Sequence, residues 1–126
     1  IVSSDAVTST EYTSYSKPLP REKPELAAAH ALAAELLGMK LVYLEAGSGA
    51  PQCVPPEMIR MLRGLLHIPI IVGGGIRTPE AAAEKAAAGA SIVIVGNHFE
   101  EDGHRAQIRA FADAVHSGRA RNIADI

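Results

Sequence analysis

The chain has 126 residues, a length that suits one domain with a sizeable core. Hydrophobic residues make up 48% of it and few are aromatic, which is typical of packed α/β proteins. The net charge of −2 indicates no basic face for nucleic acid. A single cysteine, Cys53, excludes an internal disulfide and is compatible with a cytoplasmic location. No apolar run has the length of a membrane-spanning segment.

The first part of the chain predicts a strand end, a polar loop and one long helix. Residues 1–4 read as the end of a strand, and residues 8–13 read as a short exposed strand. A helix is expected from about Pro24 to Gly38, a glycine suited to a left-handed C-terminal position. Its apolar positions recur at helical spacing and predict one buried face: Leu26, Ala29, Leu32, Ala33, Leu36 and Leu37.

The remainder alternates strands with helices. The predicted strands cover residues 41–44, 70–72 and 91–95, the last two as buried strands. The predicted helices open at residues 55–57, run from Pro79 to about Ala88, and run from about His104 to His116 with Gly118 as the end. Counting the strand at residues 1–4, this gives four βα units, which imply a parallel sheet and half of an eight-stranded barrel.

Glycine turns follow two consecutive predicted strands. Residues 73–75 are three glycines before a helix whose N-cap is Thr78, and Gly96 and Asn97 follow the next strand. Glycine lets backbone amides approach a phosphate, and the loops after the last two strands of (β/α)₈ barrels often share one phosphate site. We therefore predict that Gly74, Gly75, Gly96 and Asn97 bind a phosphate.

Three segments carry a family resemblance, in order and at the expected spacing. Residues 43–50 (YLEAGSGA), residues 72–77 (VGGGIR) and the Gly96-Asn97 pair resemble the geranylgeranylglyceryl phosphate synthase family. The resemblance covers nearly the whole chain. It aligns with the carboxyl-terminal half of the family's single (β/α)₈ TIM-barrel domain, from the fifth strand onward, so residues 1–126 are expected to be that half.

The resemblance implies a prenyltransferase of ether phospholipid biosynthesis. Such enzymes transfer a geranylgeranyl group from geranylgeranyl diphosphate to sn-glycerol 1-phosphate. They use Mg²⁺, whose aspartate ligand belongs to the first strand, so no metal ligand is expected in this chain. Family members are dimers or hexamers, which implies a homo-oligomer. A cytoplasmic location is expected from the cysteine content, and no transmembrane segment is expected because the sequence has no long apolar run.

The acceptor hydroxyl needs a group that takes its proton, and Glu45 is the leading candidate. Strand alternation places Tyr43 on the same face as Glu45, where its hydroxyl could orient the acceptor. We expect Glu45 and Tyr43 to be catalytic. The full set expected to bind sn-glycerol 1-phosphate is Tyr43, Leu44, Glu45, Ala46, Gly47, Ser48, Gly49, Gly74, Gly75, Gly96 and Asn97.

Other interpretations stay open at this point. The glycine turns suit another phosphate-binding TIM-barrel enzyme, of the sugar-phosphate isomerase or thiazole-phosphate synthase type. They also suit a half-barrel that binds a phosphorylated ligand without catalysis. Arg77 is as well placed to brace the barrel through a salt bridge as to touch phosphate, and His98 follows the second turn.

Overall fold

A computed structural model describes residues 1–101 and 103–124. Its sheet has three parallel strands in the order β1 (Val42–Glu45), β2 (Ile70–Gly73) and β3 (Ile92–Ile94). The helices are α1 (Ser9–Ser14), α2 (Pro24–Leu36), α3 (Pro56–Leu65), α4 (Pro79–Ala87), α5 (Asn97–Glu100) and α6 (Ile108–Ala124), with a 3₁₀ turn at His104–Gln107.

Local sequence signals set the ends of the predicted helices. The Thr78 side chain accepts a hydrogen bond of 3.1 Å from the amide of Ala81, and Pro79 opens α4. Gly38 and Gly89 follow α2 and α4 with φ of +87° and +117°, the left-handed conformation that glycine adopts without steric cost. The strand–helix alternation predicted for residues 41–88 is therefore confirmed.

The helices cover one face of the sheet and form the core there. On that face Leu44, Ile70 and Val72 are buried in a cluster with residues of α2 and α3. A second cluster of Ile76, Ala82 and Phe111 lies where α4 and α6 pack together. Only the face of the sheet that the helices cover is therefore packed in a hydrophobic core.

The opposite face of the sheet is open. Tyr43 pairs in register with Ile71, and Ile71 with Ile92, so these side chains form one row on that face. Tyr43 is 42% exposed, Ile92 50% and Ile94 41%. The prediction of a buried strand at residues 91–95 is wrong in this chain, because β3 packs on one side only.

Three further predictions about elements are wrong. Residues 9–13 belong to helix α1, which Thr8 caps, and not to a strand. Helix α2 buries its alanines Ala27, Ala28 and Ala31, while Leu36 is exposed. In an alanine-rich helix, apolar residues occur on every face, so periodicity does not single out the buried one. The face with the smallest side chains can lie closest to the sheet. Helix α6 begins after a 3₁₀ turn and runs past Gly118.

Residues 1–4 contribute one β-bridge and no full strand. Val2 bridges Leu19 in parallel, and its amide donates to the carbonyl of Glu45 over 2.8 Å. Within the described part of the chain, no helix has the length and apolarity needed to cross a membrane.

Candidate active site

A cavity of about 410 Å³ lies at the carboxyl ends of the three strands. The loops after β1, β2 and β3 supply most of its wall, and helix α1 contributes one residue. The lining residues are Thr10, Tyr43, Glu45, Ser48, Gly49, Gly74, Gly75, Ile76, Arg77, Ile94, Val95, Gly96, Asn97, His98 and Glu101. Parallel strands bring these loops together because their carboxyl ends share one edge of the sheet.

Tyr43 and Glu45 lie side by side on β1, as alternation along the strand predicts. A Glu45 Oε1 atom accepts a hydrogen bond of 2.6 Å from the amide of Gly47. Partial burial, followed by the hydrogen bond to Glu45 and the negative charge of its carboxylate, raises the pKa of the Tyr43 phenol well above its ordinary value. The Tyr43 hydroxyl and the Glu45 carboxylate both lie close to the Cα of Gly73, so the phenol is beside the carboxylate.

The first glycine turn fits tightly against the loop after β1. Gly74 and Gly75 have φ of +87° and +72°. A Cβ atom at Gly74 would lie 2.5 Å from Glu45 Oε1, and one at Gly75 would lie 2.9 Å from the Ala50 carbonyl oxygen. The left-handed φ and the lack of room for a Cβ atom therefore both require glycine at these two positions. The short distance at Gly74 also shows that the Glu45 carboxylate contacts the turn.

Arg77 joins the two loops through backbone carbonyls. Its guanidinium donates to Ala50 over 2.8 Å, to Gly49 over 3.0 Å and to Gly75 over 3.3 Å. Among the described residues it forms no ion pair with a carboxylate. Arg77 does brace the site, but not through a salt bridge, and its positive charge remains at the cavity wall.

The second glycine turn, after β3, is hydrogen-bonded to the loop after β1. The Ser48 hydroxyl donates to the side-chain oxygen of Asn97, and Gly96 precedes α5 at the cavity rim. Gly49 faces Asn97, because a Cβ there would lie 4.0 Å from the amide nitrogen of Asn97. The two predicted glycine turns thus share one cavity with Ser48 and Gly49.

Three of the expected binding residues do not line this cavity. Leu44 and Ala46 are buried in the core cluster, because alternation turns them away from Tyr43 and Glu45. Gly47 lies under α1, where an added Cβ would clash with the Thr8 side chain. The prediction that Leu44, Ala46 and Gly47 bind sn-glycerol 1-phosphate therefore stays a prediction, and for Leu44 and Ala46 it involves the backbone rather than the buried side chains.

Helix α1 is the part of the site that the sequence reasoning missed. Thr8 accepts a hydrogen bond of 3.3 Å from the amide of Glu11, so it caps α1, and Thr10 faces the cavity. The signal was the Thr-x-x-Glu spacing of Thr8 and Glu11, which is typical of a helix start. His98 and Glu101 also line the cavity, and no spacing rule identified Glu101.

The described residues offer no site that fits a metal ion. Among them, no group of three or more histidine, cysteine, aspartate or glutamate side chains is arranged to hold one. Magnesium therefore stays a prediction from the family resemblance, with its ligands expected outside these residues.

A parallel sheet with helices on one face and a polar cavity at its carboxyl edge defines part of a (β/α)₈ barrel. The model of the PcrB family matches residues 3–115, and the chain belongs to this family. The geranylgeranylglyceryl phosphate synthase of Thermococcus gammatolerans is 54% identical over 102 residues, which are 81% of this chain and 40% of that protein. The chain thus spans about two fifths of the length of the curated relatives it matches.

Two solved structures share the fold. The (S)-3-O-geranylgeranylglyceryl phosphate synthase of Thermoplasma acidophilum, solved with its substrate sn-glycerol-1-phosphate, has a TM-score of 0.76 and 35% identity. It covers 98% of this chain, which corresponds to 47% of that protein. The wild-type enzyme GGGPS of Thermoplasma volcanium has a TM-score of 0.72 and 31% identity, over 94% of this chain and 45% of that one. The predicted family and barrel fold are confirmed.

Proposed function

We propose that this chain forms the acceptor-binding part of a prenyltransferase that joins a geranylgeranyl group to sn-glycerol 1-phosphate. One observation carries the proposal: Tyr43 and Glu45 share a cavity with both glycine turns. A phosphorylated polyol needs an anion cradle and, a few ångströms away, groups that bind a hydroxyl. The Thermoplasma acidophilum relative, 35% identical, was solved with sn-glycerol-1-phosphate bound.

We place the phosphate between the two glycine turns. Gly74 and Gly75 let the first turn pack directly against the loop after β1, where a Cβ would lie 2.5 Å from Glu45 Oε1 or 2.9 Å from the Ala50 carbonyl oxygen. Gly96 and Asn97 close the other side, and the Arg77 guanidinium adds a positive charge at the wall. Backbone amides and one cation suit a phosphate dianion better than a neutral ligand.

The glycerol hydroxyl then lies toward Tyr43 and Glu45. In the transfer, the hydroxyl oxygen forms a bond to the allylic carbon of the donor while the carbon–oxygen bond to diphosphate breaks. The proton of the hydroxyl passes to Glu45, whose carboxylate is oriented by the Gly47 amide and lies beside the Tyr43 hydroxyl. Diphosphate leaves with the electron pair, and the product is an ether.

The alternatives from the sequence have less support. Another phosphate-binding barrel enzyme would need the same turns, but the curated relatives at 54% and 52% identity are named geranylgeranylglyceryl phosphate synthase. A half-barrel without catalysis leaves the Tyr43–Glu45 pair without a role. The geranylgeranyl donor, a dimeric or hexameric assembly and a cytoplasmic location belong to the proposal as well.

The test uses a chimera in which this chain replaces the matching part of the Thermococcus gammatolerans relative. We expect it to form the ether from geranylgeranyl diphosphate and sn-glycerol 1-phosphate with Mg²⁺. Gly75→Val should raise the KM for sn-glycerol 1-phosphate far more than the KM for the donor. Gly38→Val is the matched control, because Gly38 has a similar positive φ with open space around it. A folded chimera without product, or equal effects on both KM values, would contradict the proposal.

A further inference from the structure

Gly73 is a glycine whose backbone conformation does not require one. It is the last residue of β2 and pairs with Glu45 on one side and Ile94 on the other. Unlike Gly74 and Gly75, it does not have a left-handed φ. It is buried and does not line the cavity, because other side chains lie over it.

The space above Gly73 is occupied by the Tyr43–Glu45 pair. A Cβ atom there would clash with the Tyr43 hydroxyl oxygen, and it would lie 3.1 Å from Glu45 Oε2 and 3.2 Å from Tyr43 Cε2. The two groups thus meet directly over the missing side chain. Any larger residue would separate the phenol from the carboxylate or push both into the cavity.

We propose that Gly73 is a positioning residue, which sets the Tyr43 hydroxyl against the Glu45 carboxylate and thereby orients both toward the acceptor hydroxyl. This inference rests on the proposed function for its catalytic consequence. The placement of the pair itself depends only on the register of β1 and β2.

The geometry predicts a functional loss without loss of the fold. The atom closest to the added methyl group is the far end of the Tyr43 side chain, which is 42% exposed and can move aside. At Gly118, by contrast, the same methyl group would meet the backbone of Ala83, which cannot move alone. Gly73→Ala should therefore displace a side chain, and the strands should keep their pairing.

Four variants of the chimera test the proposal: Gly73→Ala, Tyr43→Phe, the double variant and Gly64→Ala. Gly64 is the matched control, since it is exposed on α3 with no atom within 4 Å of an added Cβ. We expect Gly73→Ala to lower turnover by roughly 10²-fold, the scale of a misplaced reacting group. Inhibition by inorganic phosphate should be unchanged, because the glycine turns stay in place.

The double variant separates positioning from a general structural effect. Phenylalanine lacks the oxygen that clashes with the new methyl group, so Gly73→Ala should add little to the loss already caused by Tyr43→Phe. Losses that multiply would overturn the proposal, and so would turnover of Gly73→Ala within about twofold of the unsubstituted chimera.

A spectroscopic measurement keeps the test independent of the proposed function. In fluorotyrosine-labelled protein, the fluorine NMR line of Tyr43 is the one that Tyr43→Phe removes. We expect Gly73→Ala to shift this line and Gly64→Ala to leave it unchanged. An unshifted line in folded Gly73→Ala overturns the positioning role. A shifted line in a chimera without prenyltransferase activity supports the positioning and contradicts the proposed function instead.

Discussion

At the residue scale, the Glu45 carboxylate is held by the loop that follows its own strand. The Gly47 amide donates to one oxygen over 2.6 Å, and the Tyr43 hydroxyl lies beside the carboxylate on the same face of β1. The backbone donor fixes the orientation of the carboxylate at the strand end, where a proton acceptor can meet a bound hydroxyl without rearrangement.

Replacing Glu45 by glutamine tests this role. Glu45→Gln in the chimera should lower turnover by roughly 10²–10⁴-fold, the range for a positioned base, because the amide cannot take the proton. The lower end is expected if the allylic carbon carries much positive charge in the transition state. Steady-state kinetics measure the effect, with Glu57→Gln as the control because Glu57 is exposed at the start of α3. Turnover of Glu45→Gln near the level of the unsubstituted chimera would show that Glu45 is not the proton acceptor.

Tyr43 should also make stability depend on pH in the alkaline range. Partial burial and the neighbouring carboxylate raise its pKa in the folded state, so the folded protein holds this proton more tightly than the unfolded chain. The free energy of unfolding should therefore fall as pH rises above about 10, the ordinary pKa of tyrosine. Below that value both states are protonated and no such dependence is expected.

Denaturant unfolding of the chimera at several alkaline pH values measures this dependence. Tyr43→Phe should show a shallower fall in unfolding free energy than the unsubstituted protein. Tyr15→Phe is the control, because Tyr15 is 93% exposed. Equal slopes in the unsubstituted protein and Tyr43→Phe would show that the phenol is not stabilised in its protonated form.

At the element scale, the strands and helices over residues 41–88 were predictable because each carries its own start and end signals. Thr78 and Pro79 open α4, and Gly89 closes it. Helix α1 was missed although Thr8 and Glu11 have the spacing of a capping box, because the segment lacks an apolar face to confirm a helix. The buried face of α2 was not predictable from periodicity, since alanine occupies several of its faces.

Gly118 illustrates a residue whose role depends on tertiary packing. The prediction that Gly118 ends the last helix is wrong, because α6 continues past it. Gly118 lies where α6 crosses α4 so closely that a Cβ atom would clash with the Ala83 carbonyl. Gly118→Ala should lower the free energy of unfolding by about 1–3 kcal/mol, the cost of overpacking at a backbone contact. Alanine's higher helix propensity offsets up to about 1 kcal/mol of it.

Chemical denaturation measures this effect, with Ser117→Ala as the neighbouring control on the exposed side of α6. Exposed substitutions of this kind are usually within about 0.5 kcal/mol of neutral. Stabilisation by Gly118→Ala would show that α4 and α6 are further apart than the contact implies.

At the scale of the whole molecule, the parallel sheet and the location of the cavity were predictable from the βα alternation alone. The Arg77 contacts were not, because they are to backbone carbonyls whose positions depend on two loop conformations. The β-branched run of β3 did not by itself predict its exposure, which follows only from the expectation that the chain is half of a barrel. A run of β-branched residues indicates a strand that a complete barrel would bury on both faces, and here one face is open.

The open face leads to the last prediction, that residues 1–126 alone do not catalyse prenyl transfer. Ile92 and Ile94 are 50% and 41% exposed on the face that a closed barrel would enclose. Among the described residues, β3 is an edge strand of the sheet, and no metal-binding cluster is present to stabilise departing diphosphate. The glycine turns, by contrast, lie wholly within the chain.

The measurement compares the isolated chain with the chimera under the same assay with geranylgeranyl diphosphate, sn-glycerol 1-phosphate and Mg²⁺. Product should form only with the chimera. Calorimetry with sn-glycerol 1-phosphate should still detect binding to the isolated chain, more weakly, because Gly75 and Arg77 need only the adjacent loops to hold their positions. Turnover by the isolated chain would contradict the prediction and would place the metal site and the donor site within these residues. It would also show that the open face of the sheet is covered in another way, such as by a second copy of the chain.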